Sequence, residues 1–540
     1  MKKNLFLYCV FCLYCLFSEN KILIIPRPKK ITFEKEIYHF PAQSVKIHSS
    51  VRDMFLQEMQ YLKIPVSTEE YNGQDFFCFW GSADLKNIDI MKKNISGKPH
   101  GYIMDISPAG IIIYGNDEGG LKYGLQSLLQ LMEQSAAGVP CCRIEVWPDF
   151  VFRGFHTTLR KPDAYGCKTA DETVGYYEWM IRRLARYKYT HLNLLVEFFT
   201  YKSRPEMGVL PWTEKEISRL VKFAAVSGIK IFPEIKTLGK FVRNIPPDRL
   251  VEFSALLEPR IYIGQLEYQA KYHDGYKAKA EKLESEQKAR ETEKTKKTPL
   301  SEDFKINKPG VLTFIKPVID EIYEVFNQPE YFNIGCDESF YTAIEEKTDQ
   351  RGKILATYVN NLAEHLQKKG CKVIMWDDML TSHEQFPFFF ETHGGPPLNT
   401  WTAVDYINKE VIIASWHYGY TVADHYPSTY PMIKWFTGKK FKVLGVPWFK
   451  IDNITNLVAD VLNYGGIGIM GSSWAIHMAV RAAAGKNLTE AQIKVTEPRH
   501  ELAVLAATAE AAWSPGRASE ALAGYDPEAW EKKFLKIQHE

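Results

Sequence analysis

Two adjacent carboxylates, Asp337 and Glu338, follow an apolar stretch that ends in a glycine, YFNIG at residues 331–335. Like charges in contact oppose each other's ionisation, so we expect one of the two acids to keep its proton near neutral pH. A protonated acid beside an ionised one suits general acid catalysis, because each group then has a separate task. The alternative is that the pair has no catalytic role, and either ends a strand or binds calcium.

Further acids and aromatic side chains follow other apolar stretches at corresponding places. They are Glu197, Glu234, Trp376 with Asp377 and Asp378, Trp416 with Tyr418, Trp448 with Asp452, and Trp474. Indole rings stack on the C–H faces of sugar rings, and carboxylates bind hydroxyls or transfer protons. Core packing explains a single tryptophan, but four of them at four predicted strand ends favour a carbohydrate pocket.

Eight short apolar stretches after residue 152 are predicted strands, and amphipathic helical stretches separate most of them. The predicted strands are Arg153–Leu159, His191–Glu197, Ile229–Ile235, Tyr331–Cys336, Lys372–Asp377, Val411–Trp416, Lys442–Trp448 and Gly466–Trp474. Thr213 and Glu216 predict a capping box at the start of one helix, and Gly228 predicts its end. This alternation predicts an α/β protein with a (β/α)8 TIM barrel, in which catalytic groups lie at the carboxyl ends of the strands. The alternative is an open doubly wound sheet, but no glycine-rich nucleotide loop follows the first strand.

The residues before the barrel divide into two regions. Lys2 and Lys3 precede an apolar run of 13 residues, LFLYCVFCLYCLF, which is too short to span a bilayer and predicts an export signal over residues 1–19. Residues 20–148 predict a small α/β domain, with strands at KILIIP, SVKIHSS and FFCFWG, a hairpin across Pro108–Gly110 and a helix at 118–134. We therefore expect an exported protein, periplasmic or secreted, whose barrel occupies residues 149–540.

Composition and charge exclude several other classes of protein. The 540 residues carry a net charge of +2, which argues against nucleic-acid binding because no basic excess is available to neutralise phosphates. After the export signal, no segment is long and apolar enough to be transmembrane. The six cysteines beyond the signal lack metal-binding spacing, so we expect no structural zinc site and mostly free, buried thiols. The charged run 277–297, within an insertion near 265–303, predicts a solvated helical or disordered segment; a role at the rim of the site is the alternative.

Several motifs together resemble glycoside hydrolase family 20, the β-N-acetylhexosaminidases, and most closely its hexosaminidase D-like branch. They are RGF at Arg153, LLVEF with Glu197, GIKIFPEIKTLGK, NIGCDESFY, MWDDMLTS, ASWHYG, VLGVPWFK and GIMGSSWAIH. Residues 21–148 resemble the small domain that precedes the barrel in this family. The acidic pair within IGCDE is the most specific of these motifs. The resemblance covers nearly all of the chain after the export signal, and it implies an exo-acting enzyme that removes terminal β-linked GlcNAc or GalNAc.

The resemblance also implies a retaining mechanism, in which the substrate's own 2-acetamido oxygen attacks the anomeric carbon. Glu338 would be the general acid, and Asp337 would hold the acetamido N–H and stabilise the oxazolinium intermediate. Arg153 would bind the hydroxyls at carbons 3 and 4 through its paired donors. The other expected substrate-binding residues are Glu197, Trp376, Asp378, Trp416, Tyr418, Trp448 and Trp474. No metal ion or organic cofactor is implied, and the expected partner is a glycan with a terminal N-acetylhexosamine.

Four positions depart from the residues that are usual in this family. Asn333 and Lys240 stand where histidine is common, and Thr158 stands where aspartate is common. Phe449 replaces a tyrosine that donates to the acetamido oxygen, and a phenyl ring has no proton to donate. We expect Tyr418 to supply that hydrogen bond instead.

These departures keep two alternative functions open. The first is a glycan-binding protein that has lost catalysis, against which the intact Asp337–Glu338 pair argues. The second is a glycosidase of altered specificity without acetamido assistance. Adjacent acids cannot flank a bond at the ~5 Å or more that two-carboxylate mechanisms need, so a second acid such as Glu197 or Asp378 would be required. Lys240 in the pocket would then meet an acidic or sulfated sugar.

Overall fold

The computed structural model describes residues 24–40, 44–81, 88–134, 138–165, 167–240, 254–256, 263, 266–267, 270, 277–285, 300–341, 343–387, 389, 391–418, 428–448, 450–474 and 498–517. The chain divides into two compact units: one contains the residues up to Pro148 together with Arg186–Lys188, and the other contains nearly all residues from Asp149 onward. The predicted export signal and Phe449 lie outside the described residues. Within the described ranges, no helix combines the length and apolar character that crossing a membrane requires.

A seven-stranded sheet forms the first unit. Its strands are β1 (Lys30–Tyr38), β2 (Val45–His48), β3 (Thr68–Tyr71), β4 (Phe76–Gly81), β5 (Tyr102–Ser107), β6 (Gly110–Gly115) and β7 (Val139–Val146), in the order β1-β7-β5-β6-β4-β2-β3. Strands β5 and β6 pair antiparallel, as the predicted hairpin requires. The helices of this unit are α1 (Ser49–Tyr61), α2 (Ile88–Ile95) and α3 (Glu118–Gln134). Helix α3 coincides with the predicted helix at 118–134, and its buried residues include Leu121, Leu125, Leu128 and Leu129.

The apolar run KILIIP does not form the predicted first strand. Its described part, residues 24–26, lies outside any strand, and β1 begins at Lys30. Pro26 and Pro28 lack the N–H that a strand donates to its neighbour, so the chain enters the sheet only after them. Ile24 and Ile25 are buried all the same.

A closed barrel of eight parallel strands forms the second unit. The strands of this unit are β8 (Phe152–Leu159), β9 (His191–Val196), β10 (Lys230–Glu234), β11 (Ser254–Leu256), β12 (Leu300–Phe304), β13 (Tyr331–Asn333), β14 (Lys372–Trp376), β15 (Ile412–Ser415), β16 (Val443–Gly445) and β17 (Gly468–Ser473). All except β11 and β12 belong to the barrel, which closes where β17 pairs with β8. Each barrel strand overlaps one predicted strand and begins within two residues of its predicted start, although β13 and β16 end three residues earlier than predicted. The predicted TIM barrel is confirmed.

Helices separate most of the barrel strands. They are α4 (Ala170–Arg186), α5 (Glu214–Val226), α6 (Pro309–Val325), α7 (Arg351–Gln367), α8 (Pro431–Gly438), α9 (Ile451–Asn463) and α10 (Pro498–Trp513). The predicted capping box is present at α5, where Thr213 and Glu216 each accept a backbone N–H of the first turn. Gly228 follows this helix with a φ of 79°, in the left-handed region that glycine adopts without strain.

The insertion between β10 and β13 contains the antiparallel pair β11 and β12. Residues 277–285 of the charged run are helical, and most of their side chains are exposed, as predicted for a solvated helix. Ala280 and Leu283 on this helix pack against Ile263 and Leu266. The rest of the charged run, from residue 286, lies outside the described residues.

The described cysteines agree with the expectation from their spacing. Cys78, Cys141, Cys142, Cys167, Cys336 and Cys371 are buried, and none of the six forms a disulfide. Burial raises the pKa of the Cys336 thiol to about 12, so this neighbour of Asp337 stays protonated. In the part of the chain that has been described, no group of three His, Cys, Asp or Glu side chains is arranged to hold a metal ion.

Candidate active site

Asp337 and Glu338 lie at the carboxyl end of β13, where the backbone turns through left-handed conformations. Gly335, Cys336 and Glu338 have φ angles of 68°, 67° and 45°. Residues other than glycine rarely adopt such angles, and the backbone strain that results is found mostly at functional sites. The turn gives the two acids different surroundings, because the side chain of Asp337 is 6% exposed and that of Glu338 is 36% exposed.

Lys236, two residues after β10, is the partner of Asp337. Its Nζ lies 2.7 Å from Asp337 Oδ2 and 3.1 Å from Glu234 Oε1. The ammonium also lies 5.8 Å from the ring centroid of Trp376 and 5.3 Å from that of Trp474. Burial opposes the charge of Lys236, but the two carboxylates outweigh burial and raise its pKa. The other oxygen of Asp337, Oδ1, is buried and has no hydrogen-bond partner among the described residues.

Lys240 is the corresponding partner of Glu338. Its ammonium forms an ion pair with Glu338 and lies 3.9 Å from Asp337 Oδ2. Burial opposes ionisation of Glu338, but the charges of Lys240 and His393 outweigh burial and lower its pKa to about 2. The expectation that repulsion by Asp337 keeps Glu338 protonated is therefore wrong. A lysine beside each acid neutralises the pair, so Glu338 is ionised at neutral pH in this arrangement.

Asp378, two residues after β14, fixes the backbone of the acidic turn. Its Oδ2 accepts a hydrogen bond from the N–H of Glu338 at 2.8 Å and lies 2.9 Å from Nδ1 of His393. Its Oδ1 accepts from the indole N–H of Trp416 at 3.2 Å. The carboxylate is fully buried, and this burial raises its pKa. Asp378 was predicted to bind substrate; its oxygens are instead occupied by groups that it positions.

The predicted aromatic residues come together from four strand ends. The ring of Tyr418 lies 5.3 Å from that of Trp416 and 5.1 Å from that of Trp448. Trp474 donates its indole N–H to the Tyr418 hydroxyl at 3.2 Å, and its ring lies 6.4 Å from that of Trp376. Trp376 and Trp416 are buried in the barrel core, whereas the other three side chains are partly exposed. The exposed rings are the ones on which a sugar can stack.

Glu234, the last residue of β10, links the acidic and aromatic parts of the site. Its Oε1 accepts from the indole N–H of Trp376 at 2.9 Å, and its Oε2 accepts from Asn333 at 2.9 Å and lies 3.0 Å from His156. Burial opposes ionisation, but Lys236 and His156 lower the pKa of Glu234 to about 2. Asn333, one of the departures from the usual family pattern, is therefore part of the network that orients Trp376.

Arg153 lies at the amino end of β8, away from this site. It is the second residue of the strand, and it is 1% exposed. Its guanidinium donates to the carbonyl oxygens of Phe150 at 2.6 Å and Val151 at 3.3 Å, and lies 4.8 Å from the ring centroid of Trp513. The prediction that Arg153 binds sugar hydroxyls is wrong, because the strand rises about 3.3 Å per residue and separates Arg153 from the carboxyl end.

Arg160, and not Arg153, lies at the carboxyl end of β8. It is the first residue after β8, and Glu197 is the first residue after β9. Nη1 of Arg160 lies 3.3 Å from Oε2 of Glu197, and the two side chains are 36% and 24% exposed. The structure thus places Glu197 at the predicted end of the barrel, with Arg160 as its partner. Arg160 could have been found from the sequence, because it follows β8 directly, just as Glu197 follows β9.

Two further residues of the site were missed by the sequence analysis. Lys236 follows Glu234 by two residues in an extended segment, and this spacing places both side chains on one face. His393 contacts Asp378 from a position 15 residues later in the chain. It lies in an irregular segment, and no pattern in the sequence marks it.

Two family models match this chain. The model for the catalytic domain of glycosyl hydrolase family 20 matches residues 185–433, and the model for domain 2 of the same family matches residues 21–147. Together they cover more than two thirds of the 540 residues. The chain belongs to glycosyl hydrolase family 20. The catalytic match includes Asp337 and Glu338, whereas Trp448 and Trp474 lie beyond its end.

Among curated proteins, this family 20 chain is similar to two much longer relatives. It is 22% identical to lacto-N-biosidase of Bifidobacterium bifidum over 376 residues, which are 64% of this chain and 27% of that protein. It is 22% identical to a β-hexosaminidase of Porphyromonas gingivalis over 316 residues, which are 52% of this chain and 36% of that protein. The chain therefore spans about a quarter to about a third of the relatives it matches.

Solved structures of family 20 share the fold. An exo β-N-acetylglucosaminidase from Vibrio harveyi superposes with a TM-score of 0.58 at 17% identity, covering 94% of this chain and 77% of that one. A β-N-acetylhexosaminidase from Bacteroides fragilis superposes with a TM-score of 0.58 at 14% identity, covering 95% of this chain and 96% of that one. At this level of identity the likeness shows the architecture, and the chemistry must be argued from the site.

Proposed function

We propose that this family 20 protein is an exo-acting β-N-acetylhexosaminidase, which removes terminal β-linked GlcNAc or GalNAc by a retaining, substrate-assisted mechanism. The environment of Asp337 carries the proposal. Lys236 pairs with one of its oxygens, while the other is buried without a partner among the described residues. Leaving a buried acceptor without a hydrogen bond costs free energy, and a donor on a ligand removes that cost. The acetamido N–H of a bound sugar is a donor of the required kind.

The two acids then take separate steps of the reaction. Asp337 accepts the acetamido N–H and turns the acetamido oxygen toward the anomeric carbon. Glu338 first takes up a proton from solvent, because it is ionised beside Lys240 at neutral pH. As the acetamido oxygen attacks and the bond from the anomeric carbon to the leaving oxygen breaks, Glu338 gives this proton to the leaving oxygen, and the charge of Asp337 stabilises the oxazolinium intermediate. Glu338 then takes a proton from the water that attacks the anomeric carbon, which retains the configuration. Because the substrate supplies the nucleophile, no second carboxylate across the ring is needed.

Tyr418 is proposed as the hydrogen-bond donor to the acetamido oxygen. Its hydroxyl accepts from Trp474 and lies 3.1 Å from Ser472 Oγ. Ser472 donates its own proton to the carbonyl oxygen of Pro447 at 3.2 Å, so the Tyr418 proton points to Ser472 in the free site. Burial raises the pKa of Tyr418, which keeps that proton in place for a stronger acceptor.

Hydrolysis of three chromogenic glycosides tests the proposed function: β-GlcNAc, β-GalNAc and β-glucose. We expect cleavage of the two N-acetyl sugars only, inhibition by a thiazoline that mimics the cyclic intermediate, and a loss of about 10²-fold or more in Glu338→Gln. Glu345→Gln is the matched control, because Glu345 is 35% exposed and lies 3.4 Å from Lys305. Cleavage of the β-glucoside would instead favour a glycosidase without acetamido assistance.

A glycan-binding protein without catalysis is the second candidate. The observation in its favour is that Lys236 and Lys240 neutralise both acids, so the free site holds no protonated carboxyl at Glu338 near neutral pH. The same glycosides decide between the two. The wild-type protein would be a lectin, and not an enzyme, if it bound GlcNAc saturably but hydrolysed none of the glycosides at any pH from about 4 to 8.

We also propose that the protein is exported, to the periplasm or beyond the cell. Lys2, Lys3 and the apolar run after them support this proposal. Cell fractionation of the full chain with a carboxyl-terminal tag tests it. We expect the tagged protein outside the cytoplasm, and deletion of residues 2–19 should retain it inside; equal distribution of both forms would contradict export.

A further inference from the structure

Lys236 and Lys240 leave the same segment after β10 but reach different parts of the site. Lys236 is 7% exposed and is shared by Glu234 and Asp337. The side chain of Lys240 is 29% exposed, and its ammonium forms an ion pair with Glu338. The first lysine is therefore enclosed by protein groups, whereas the second is open to an incoming molecule.

The position of Glu338 defines which part of a substrate meets Lys240. A general acid must come within hydrogen-bond distance of the glycosidic oxygen to protonate it. The leaving sugar therefore lies beside Glu338, and so beside the ammonium of Lys240. The N-acetyl sugar that is released lies on the other side of this oxygen, toward Asp337.

We propose that Lys240 recognises an acidic group, a carboxylate or a sulfate ester, on the leaving sugar, so that the substrate is a terminal N-acetylhexosamine β-linked to an anionic sugar. This inference rests on the proposed function. The anionic group takes the ammonium of Lys240 from Glu338, and Glu338 takes up one proton from water. The exchange leaves a cation–anion pair between Lys240 and the substrate and a neutral Glu338, which is the form that general acid catalysis requires. A neutral leaving sugar offers Lys240 no new partner, so Glu338 must take up its proton against the charge of Lys240, which slows the reaction.

The other charged groups that face Glu338 are already held by the protein. Lys236 is held by Asp337, and His393 lies 2.9 Å from Asp378. Asp303 on β12 accepts the backbone N–H groups of residues 340 and 341, and burial raises its pKa to about 6. Lys240 is therefore the cation in this described cluster that an anionic substrate can capture without opening a buried pair.

Three disaccharides test the inference, each with β-linked GlcNAc at the non-reducing end: one on glucuronate, one on glucose 6-sulfate and one on glucose. The variants are Lys240→Met, which removes the charge, and Lys240→Arg, which keeps it. Lys439→Met is the matched control, because the Lys439 side chain is 31% exposed and lies 2.7 Å from Asp405. The measurement is kcat/KM at about pH 6, followed over pH for the glucose disaccharide.

For the wild type, we expect a preference of roughly tenfold for one or both anionic disaccharides over the neutral one. The anionic disaccharide that is preferred shows whether Lys240 recognises a carboxylate or a sulfate ester. Lys240→Met should lose this preference and cleave the neutral disaccharide faster at pH 6, whereas Lys240→Arg and Lys439→Met should keep it. Equal wild-type rates on all three, or a preference that persists in Lys240→Met, would overturn the inference and leave the proposed hydrolase intact. Cleavage of none of them by any variant would overturn the proposed function itself.

Discussion

The inner acid–lysine pair, Asp337 with Lys236, and the outer pair, Glu338 with Lys240, are built from consecutive acids but differ in burial. Both members of the inner pair are less than 10% exposed, and both members of the outer pair are about a third exposed. The left-handed backbone at Glu338, with a φ of 45°, turns one side chain inward and the other outward. Buried ion pairs are costly to break, whereas solvent screens exposed ones. The inner pair is therefore suited to hold charge fixed, and the outer pair is suited to exchange partners.

The largest effect is expected when the inner acid loses its charge. Asp337→Asn replaces an acceptor by an amide that can turn an N–H toward the acetamido N–H, and it removes the anion beside the oxazolinium. We expect kcat on chromogenic β-GlcNAc to fall by about 10²- to 10³-fold. Asp405→Asn is the control, since Asp405 forms an exposed pair with Lys439. A loss of less than tenfold would show that Asp337 does not steer the substrate's amide.

Removing the inner lysine tests the rigidity of the inner pair. Lys236→Met leaves two buried carboxylates, Glu234 and Asp337, without the ammonium that lies 3.1 and 2.7 Å from them. We expect the free energy of unfolding at pH 7 to fall by about 3 kcal/mol, and by less at lower pH as the carboxylates take up protons. Urea unfolding measures this, with Lys439→Met expected to cost about 0.5 kcal/mol or less. Equal losses for the two variants would remove the distinction between the pairs.

Removing the hydroxyl of Tyr418 is expected to have a smaller effect on activity than removing the charge of Asp337. Tyr418→Phe keeps the ring contacts with Trp416 and Trp448 but removes the proposed donor to the acetamido oxygen. We expect kcat/KM on chromogenic β-GlcNAc to fall by about 10- to 100-fold, with little change in stability. Unchanged turnover in this variant would assign the acetamido oxygen to another donor.

The elements that carry the site were predictable because parallel barrel strands are buried on both faces and read as continuous apolar runs. Strand β15, for example, has four residues that are all buried. The acids after β13 and the aromatic residues at or just beyond the ends of β14 to β17 were predictable for the same reason, since their place follows from the strand that carries or precedes them. Arg153 was expected at the site from the resemblance alone, and it lies at the start of β8, where this rule places no site residue.

The charge state of the site was not predictable, because it depends on contacts made only when the barrel closes. Lys236 and Asp337 are 101 residues apart in the chain, and Lys240 and Glu338 are 98 apart. From the sequence, two adjacent acids imply mutual repulsion and a raised pKa. The fold instead supplies a cation for each, and the pKa of Glu338 is lowered. Local sequence therefore located the acids, while long-range packing set their protonation.

The smallest effect tests the outer pair through the pH dependence of stability. Lys240 and His393 outweigh burial and lower the pKa of Glu338 from 4.5 to about 2 in the folded protein, so this carboxylate contributes stability that is present above pH 4.5 and is lost as the pH falls toward 2. Lys240→Met should unfold more easily than the wild type at pH 7, by at most about 1 kcal/mol because the pair is partly exposed. The difference should shrink through this window and vanish only below about pH 2, where Glu338 is protonated in both proteins. Urea unfolding of both proteins from pH 7 to 2 measures this decrease, and a difference that stays constant over this range would mean that Lys240 stabilises the fold through something other than the charge of Glu338.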